Sequence, residues 1–454
     1  MKKTLFFLLI ISVALAFCAC GKGARSTVNG VKLSEYSIVY SESDLDYAKR
    51  AAEFVQAEIL ERCDLEIPII TDDAEPVSEY EIVIGNTNRD ISDRLDADTE
   101  GLEFAILAEE KQIALEGDYF IIAAAAYYFV DTYVREAGYE ATVPSGVSIH
   151  TPIVKEAENF ILLIGDGMGV YQTKLFEELP DNSGYSDGED LFYGYLLPYR
   201  GFAKTESLSG VTDSAAAGTA LASGYKTYND RVGINKDGER VTLLPELAHS
   251  LGMGTAVMST ETATGATPSA FSSHTLSRDN TSEILECQKN LKLSGTVIDC
   301  GFNYYTKDYM TVIERHITDT LDKVDDGESG FFMMYEEAHI DKHSHTNDMQ
   351  KTYLALIRFN QVIGRFMEYA FYNPDTFILI TADHETGALR PNGEGALAYG
   401  SEGHTSDDVP VFAYGDGGEL FDGKTVENVQ IAHTIASFFG VYDFGDQSEY
   451  QYLK

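Results

Sequence analysis

Five short stretches of this chain collect side chains that can hold metal ions or attack a substrate. In Asn159-Phe-Ile-Leu-Leu-Ile-Gly-Asp166-Gly-Met-Gly169, an apolar run ends in a glycine-rich turn bearing one carboxylate. Glycines let backbone approach a ligand closely, although such a turn also has a purely conformational use. In Thr212-Asp213-Ser214-Ala-Ala-Ala-Gly-Thr-Ala-Leu-Ala-Ser-Gly224, Ser214 opens a small-residue stretch that predicts a helix ending near Gly224. A helix start offers free N–H groups to phosphate. A serine hydroxyl held by a metal becomes a nucleophile; the plainer alternative is that Asp213 or Ser214 only caps the helix. The third stretch, Phe332-Met-Met-Tyr-Glu336-Glu-Ala-His-Ile-Asp341-Lys-His343-Ser-His345, holds three of the ten histidines, a density that argues against scattered surface imidazoles. Asp341 and His345 share a face if this segment is helical. In Phe377-Ile-Leu-Ile-Thr-Ala-Asp383-His384-Glu-Thr-Gly387 another apolar run ends in a carboxylate and an imidazole. The fifth stretch is Gly403-His404-Thr405; a lone histidine is usually structural and matters here through its company.

The elements that must position these groups can be read from the same stretches. Phe160–Ile164, Thr255–Met258, Phe331–Tyr335 and Phe377–Thr381 are continuous apolar runs, and Val409–Tyr414 has strand character. Continuous apolar strands are buried on both faces, as in a parallel sheet covered by helices. The predicted fold class is therefore α/β: a three-layer αβα sandwich around a mostly parallel sheet, preceded by a small α+β domain. Ligands of such sheets bind beyond the carboxyl ends of the strands, which is where the ligand-rich turns fall. The donor pool is carboxylate, imidazole and hydroxyl without a cysteine cluster. It suits two Zn2+ and one harder, oxygen-seeking Mg2+.

The chain divides into 1–20 (leader), 21–33 (tether), 34–150 (small α+β domain) and 157–450 (catalytic domain). Lys2 and Lys3 precede an apolar run over 4–17, too short to span a bilayer comfortably and suited to a signal-peptide core. Its end, Phe17-Cys18-Ala19-Cys20-Gly21, resembles a bacterial lipoprotein cleavage site. Cys20 suits lipidation better than Cys18, because Ala19 is small and Phe17 is not; an ordinary cleaved signal is the alternative. The expected location is the cell membrane, lipid-anchored and facing the extracytoplasmic side. In the small domain, Tyr36–Tyr40, Ile67–Ile70, Glu81–Ile84, Phe104–Leu107 and Gln112–Leu115 read as strands. Leu45–Cys63 and Asp118–Val134 read as helices, and 141–157 reads as a linker. The order resembles the accessory domain that precedes the barrel in family-20 glycoside hydrolases, which implies support, docking or glycan binding. Of the three later cysteines, Cys287 and Cys300 could pair or remain buried thiols.

In this order the five stretches resemble the alkaline phosphatase family, over roughly residues 158–440; the Asp-Ser-Ala-Ala-Ala-Gly-Thr-Ala and Thr-Ala-Asp-His runs carry the resemblance most sharply. The resemblance implies that Ser214 is the nucleophile, bound to one zinc with Asp383 and His384. It implies that Asp166 bridges that zinc and magnesium, that Asp341, His345 and His404 hold the second zinc, and that Glu336 and Thr267 ligate magnesium. Arg278, eleven residues after Thr267, stands where the family grips phosphate, with Asp213 orienting it. Lys342 stands where bacterial members reach phosphate through water; an ordinary solvated lysine is the alternative. Gly265 departs from the family, whose members place an aspartate or a histidine there. The implied reaction is hydrolysis of small-molecule phosphate monoesters with an alkaline optimum, and the resemblance admits a homodimer.

Charge narrows the partners. With 73 acidic and 33 basic side chains the formal charge is −40, which repels nucleic acid and anionic lipid. Phosphodiesterases and sulfatases of the same superfamily are the rival enzymes, and a non-catalytic binding lipoprotein is the rival of another class. Ser214, for which a binding module has no need, favours a monoesterase.

Overall fold

The structure, a computed structural model, describes residues 26–42, 46–74, 77–95, 99–109, 111–179, 191–291, 297–299, 306, 309–326 and 328–454. Cys20, with the whole leader, and Cys300 lie outside the described residues. Cys287 directs its thiol toward the His274 carbonyl at 3.9 Å. The chain forms two compact units: one runs to Val154 and includes Met367–Pro374, the other comprises Lys155–Phe366 and Asp375–Lys454.

The first unit is a six-stranded sheet with helices. Its elements are β1 (Tyr36–Tyr40), α1 (Tyr47–Cys63), β2 (Ile69–Thr71), β3 (Tyr80–Ile84), β4 (Phe104–Ala108), β5 (Gln112–Glu116), α2 (Ile121–Tyr133) and β6 (Gly146–His150). The strand order is β2-β1-β3-β5-β4-β6. The hairpin expected around Glu109 forms, with Ala105 opposite Glu116. Two segments differ from their sequence reading. Thr27–Val28 pairs with Val31–Lys32 and with Glu140–Ala141, so part of the supposed tether is built into a small sheet, with Val28 buried. The supposed linker contains β6, antiparallel to β4. Its polar residues face inward: the His150 ring stacks on Tyr128 at 4.3 Å, while Val147 and Ile149 are exposed.

The second unit contains β7 (Asn159–Gly165), β8 (Tyr199–Lys204), α3 (Ser214–Ser223), β9 (Gly254–Ser259), α4 (Ala266–Ala270), β10 (Val297–Asp299), β11 (Phe331–Glu337), α5 (His339–Ser344), β12 (Thr376–Thr381), β13 (Val409–Tyr414), β14 (Thr425–Glu427) and α6 (Asn428–Phe438). Eight strands form one sheet in the order β10-β9-β11-β7-β12-β13-β8-β14. All neighbours pair in parallel except β13, which runs antiparallel to both β12 and β8. Every residue of β7, β9, β11 and β12 is buried, the pattern of strands covered on both faces. Burying each Leu or Ile of β7 contributes roughly 1.5–3 kcal/mol. In register, Ile164 of β7 lies beside Glu336 of β11 and Thr381 of β12. The turns after these three strands therefore open at one sheet edge. Among the described residues, no helix is long and apolar enough to cross a membrane.

Candidate active site

The strand ends converge because the backbone there is drawn tight. After β7, Gly167 adopts φ +74°, and a Cβ on it would fall 2.8 Å from Asp341 Cα. Only glycine allows both the conformation and the contact. The Gly167 N–H donates to Asp383 Oδ1 at 3.1 Å, tying the turn after β7 to the end of β12. Below this turn, Glu385 is buried and accepts from Gln172 Nε2, the Leu389 N–H and Thr405 Oγ1. It thereby joins the Asp383-His384 loop to the His404–Thr405 strand, which pairs with Glu385–Thr386.

Helix α3 presents Ser214 at its first position. Asp213 is the cap: Oδ1 accepts from the Ala216 N–H at 2.9 Å and Oδ2 from the Asp230 N–H at 2.8 Å. All ten helix residues are buried, which their small side chains permit. Ser214 Oγ lies 3.2 Å from His384 Nε2. The capping role thus falls to Asp213, which leaves the Ser214 hydroxyl facing His384. Helix α5 carries Asp341, and the following His345 closes a helical turn onto it, N–H to the Asp341 carbonyl at 2.9 Å. The two side chains share a face, as the spacing predicts, with His345 Nε2 3.3 Å from Asp341 Oδ1.

Two groups of donors result, among the described residues, each with its ligand atoms within 4.8 Å of one another: Asp166, Asp383 and His384, all buried, and Asp341, His345 and His404, of which the two imidazoles are partly exposed. The groups adjoin, for the His384 and His404 rings stack at 3.5 Å. In the first, His384 Nε2 stands 3.2 Å from Asp383 Oδ2 and 3.7 Å from Asp166 Oδ1. In the second, His404 Nδ1 donates to the Thr212 carbonyl at 2.8 Å and His345 Nδ1 donates to the Glu402 carbonyl at 2.5 Å. Each Nε2 is left to face Asp341, as a proton donor to it or, once a cation displaces the proton, as a ligand. The two face each other at 3.1 Å, near Asp341 Oδ1.

The electrostatics of the two groups differ. Burial, then Asp383, Asp341 and Glu336, pushes the Asp166 carboxyl well above its usual range. Burial and Asp341 push Asp383 up to about 6. Burial and the charge of His404 hold the His384 imidazole well below its usual value. In the second group burial would raise Asp341, but the hydrogen bonds of His345 and His404 outweigh it and hold the carboxyl far down. The Asp341 bond, in turn, raises His345 to about 9.

The residues fit bound cations. Asp166 Oδ1, Asp383 Oδ2 and Glu336 Oε1 are buried with no donor in hydrogen-bonding geometry, and Thr267 Oγ1 is equally unpaired. Buried carboxylates in that condition are costly unless a positive charge compensates them. Glu336 lies at the end of β11, takes a hydrogen bond from Ser259 Oγ, and is pushed up to about 8 by burial and Glu261. It faces Thr267 on α4. Asp166, Glu336 and Thr267 thus suit a third, oxygen-rich cation pocket.

Arg278 reaches the cap residue, Nη1 lying 3.6 Å from Asp213 Oδ2, and is about one-third exposed at 35 %. Lys342 is turned to Glu261, Nζ to Oε2 at 2.7 Å. Two contributors escaped the sequence reading. Thr386 Oγ1 donates to Asp341 Oδ1 and lies 3.2 Å from His384 Nδ1, linking the two groups. It sits inside the fourth motif, which was its only signal. Glu261 had none.

Comparisons with known proteins bear on the family and the fold. A family model described as alkaline phosphatase matches residues 157–300 and 305–400. Alkaline phosphatases 3 and 4 of Bacillus subtilis are 28 % and 26 % identical, over 54 % and 53 % of this chain. The chain covers 65 % and 64 % of these relatives' own length. The structure of alkaline phosphatase from the Antarctic bacterium TAB5 aligns at TM-score 0.55 and 25 % identity, over 63 % of this chain and 99 % of that one. Its shared architecture is the α/β fold with a mostly parallel sheet and flanking helices. This chain belongs to the alkaline phosphatase family.

Proposed function

We propose that this protein hydrolyses phosphate monoesters through a phosphorylated Ser214, releasing inorganic phosphate and an alcohol outside the cytoplasm, from a lipid anchor at Cys20. The observation that carries the reading is the convergence of two donor groups beside one buried hydroxyl at a helix start. Asp166, Asp383 and His384 would hold one zinc with Ser214, and Asp341, His345 and His404 the second. Asp166, Thr267 and Glu336 would hold magnesium. Bound there, the cations supply Lewis acidity, which lowers the pKa of hydroxyl and water and offsets phosphoryl charge.

The chain's own residues account for the rest. Ser214 Oγ forms a bond to phosphorus as the ester bond breaks and the serine proton is lost; the alcohol leaves with a proton drawn from water. Water then cleaves the phosphoserine and regenerates the hydroxyl. The N–H groups at the start of α3 and the Arg278 fork are suited to the phosphoryl oxygens, since a guanidinium can grip two at once. Asp213 keeps α3 capped and Arg278 in reach. Activity rises toward alkaline pH as hydroxyl and water ionise more readily. The small unit is proposed to serve docking or support, in the manner of the accessory domain of family-20 glycoside hydrolases. The assembly is proposed to be a homodimer.

The test compares turnover of p-nitrophenyl phosphate, its bis ester and its sulfate, before chelation, after it, and after zinc and magnesium are restored. Monoester hydrolysis that chelation abolishes and the metals restore supports the reading. A preference for diester or sulfate, or activity indifferent to chelation, contradicts it.

A further inference from the structure

The loop after β9 holds a carboxylate that no motif singles out. Glu261 is tied down by its own N–H, which donates to Ser259 Oγ at 3.0 Å, the same hydroxyl that bonds Glu336. Its side chain is 18 % exposed. Four residues on, Gly265 has φ −57° and ψ 161°, a conformation open to any residue. The backbone leaves position 265 open to any residue, but a Cβ there would fall 1.9 Å from Glu261 Oε1, so a side chain at 265 would have to displace the Glu261 carboxylate. The Glu261 carboxylate therefore stands where the side chain of residue 265 would otherwise stand. Its other oxygen, Oε2, accepts from Lys342 Nζ at 2.7 Å. Lys342 follows Asp341 on α5, so this ion pair joins the loop that leads to Thr267 to the helix that carries Asp341. Its ammonium also lies in the field of Glu336 and Asp166.

We propose that Glu261 is a positioning residue of the active site: seated in the space that Gly265 leaves, its carboxylate fixes the Lys342 ammonium where the phosphoryl group binds. The inference rests on the phosphatase reading of the site. It makes Gly265 and Glu261 one device, a carboxylate delivered from position 261 in place of one at 265. An unanchored lysine spends its conformational freedom on binding, and a single partly exposed ion contact is modest in size.

The experiment measures kcat and KM for p-nitrophenyl phosphate and the dissociation constant of inorganic phosphate by calorimetry. Glu261→Gln and Lys342→Ala are each expected to raise KM and the phosphate dissociation constant about 3–5-fold, with kcat changing less. The double variant is expected to be no worse than either single one, since both act through one contact. Gly265→Asp alone sets two carboxylates in one space and loses binding. Combined with Glu261→Ala it supplies a carboxylate from the other position and restores phosphate affinity. Should Glu261→Gln not fold, Lys342→Ala and the relocated pair decide the matter. Unchanged KM and phosphate affinity in Glu261→Gln or Lys342→Ala, additive losses in the double variant, or no rescue by relocation would each overturn the proposal. A wild-type protein with no monoester turnover would instead sink the underlying function.

Discussion

Asp166, Asp383 and His384 are enclosed, whereas the group of Asp341, His345 and His404 is open to solvent in part through its two imidazoles. Each group has at least one carboxylate and one imidazole, yet their charges are settled in different ways. In the enclosed group both carboxyls are pushed toward protonation and the imidazole toward neutrality, so burial works against every charged form. In the open group one carboxylate sits between two imidazoles, and carboxylate and imidazoles favour one another's charged forms. The lesson is that the enclosed group needs bound protons or a cation to offset its buried charge, while the open group carries its own counter-charges. The nucleophile candidate, Ser214, stands against the enclosed group, where a cation has most to compensate.

The largest effect should fall on that hydroxyl. Ser214→Ala is expected to lower kcat by roughly 10³-fold or more, with the unfolding temperature little changed. Residual turnover within tenfold of wild type would detach the enclosed group from catalysis. Next come the proposed ligands. Asp383→Asn and Asp341→Asn should each lower activity by more than about 100-fold at limiting zinc, and elemental analysis should show about one zinc lost in each.

The same two variants separate the groups by sign in chelator. Near pH 8, Asp383→Asn removes a buried charge that the N–H groups of Gly167 and His384 offset only in part, and should raise the unfolding temperature of the metal-free protein. Asp341→Asn strips His345 and His404 of their counter-ion and should lower it. Each change should correspond to about 1–3 kcal/mol. Shifts of the same sign would erase the distinction drawn above.

A smaller, graded effect concerns pH in the metal-free protein. Glu336, Asp383 and His345 are raised to about 8, about 6 and about 9 in the fold. A raised value means that the folded state holds more protons than the unfolded chain, whichever the residue type. The stability from His345 is complete below its unfolded value and is lost as pH climbs through 9; the two acids act in the same direction over lower windows. His343 and His384, whose values are lowered, act with the opposite sign below about pH 6.5, so chelated protein should melt progressively lower from about pH 7 to pH 9, and zinc should flatten the trend. A melting temperature that rises with pH over that range in chelator would contradict the assignment.

Much of this site could be read from sequence because it is built at strand ends. Buried strands covered on both faces leave uninterrupted apolar runs, so β7, β11 and β12 announce themselves, and the polar residues that follow them stand out. The helical spacing of Asp341 and His345 and the small-residue run after Ser214 are local signals too. Glu261 is different. Its role arises from an empty position four residues later and a lysine on another element, and neither relation leaves a periodic trace. The strand Gly146–His150 was missed for a related reason. On this edge strand Ser148 and His150 turn inward and Val147 and Ile149 outward, the reverse of the pattern by which half-buried strands are recognised. The pairing of Thr27–Val28 with Glu140–Ala141 joins residues far apart in the chain, which composition alone does not foresee.

The most direct measurement is an acid quench of the metal-loaded protein during turnover of p-nitrophenyl phosphate, followed by peptide mass spectrometry. One phosphate should appear on the peptide that begins helix α3, mapped to Ser214, and it should vanish in Ser214→Ala. Rapid turnover with no phosphate on that peptide at any quench time, or phosphate mapped to another residue, would contradict the account.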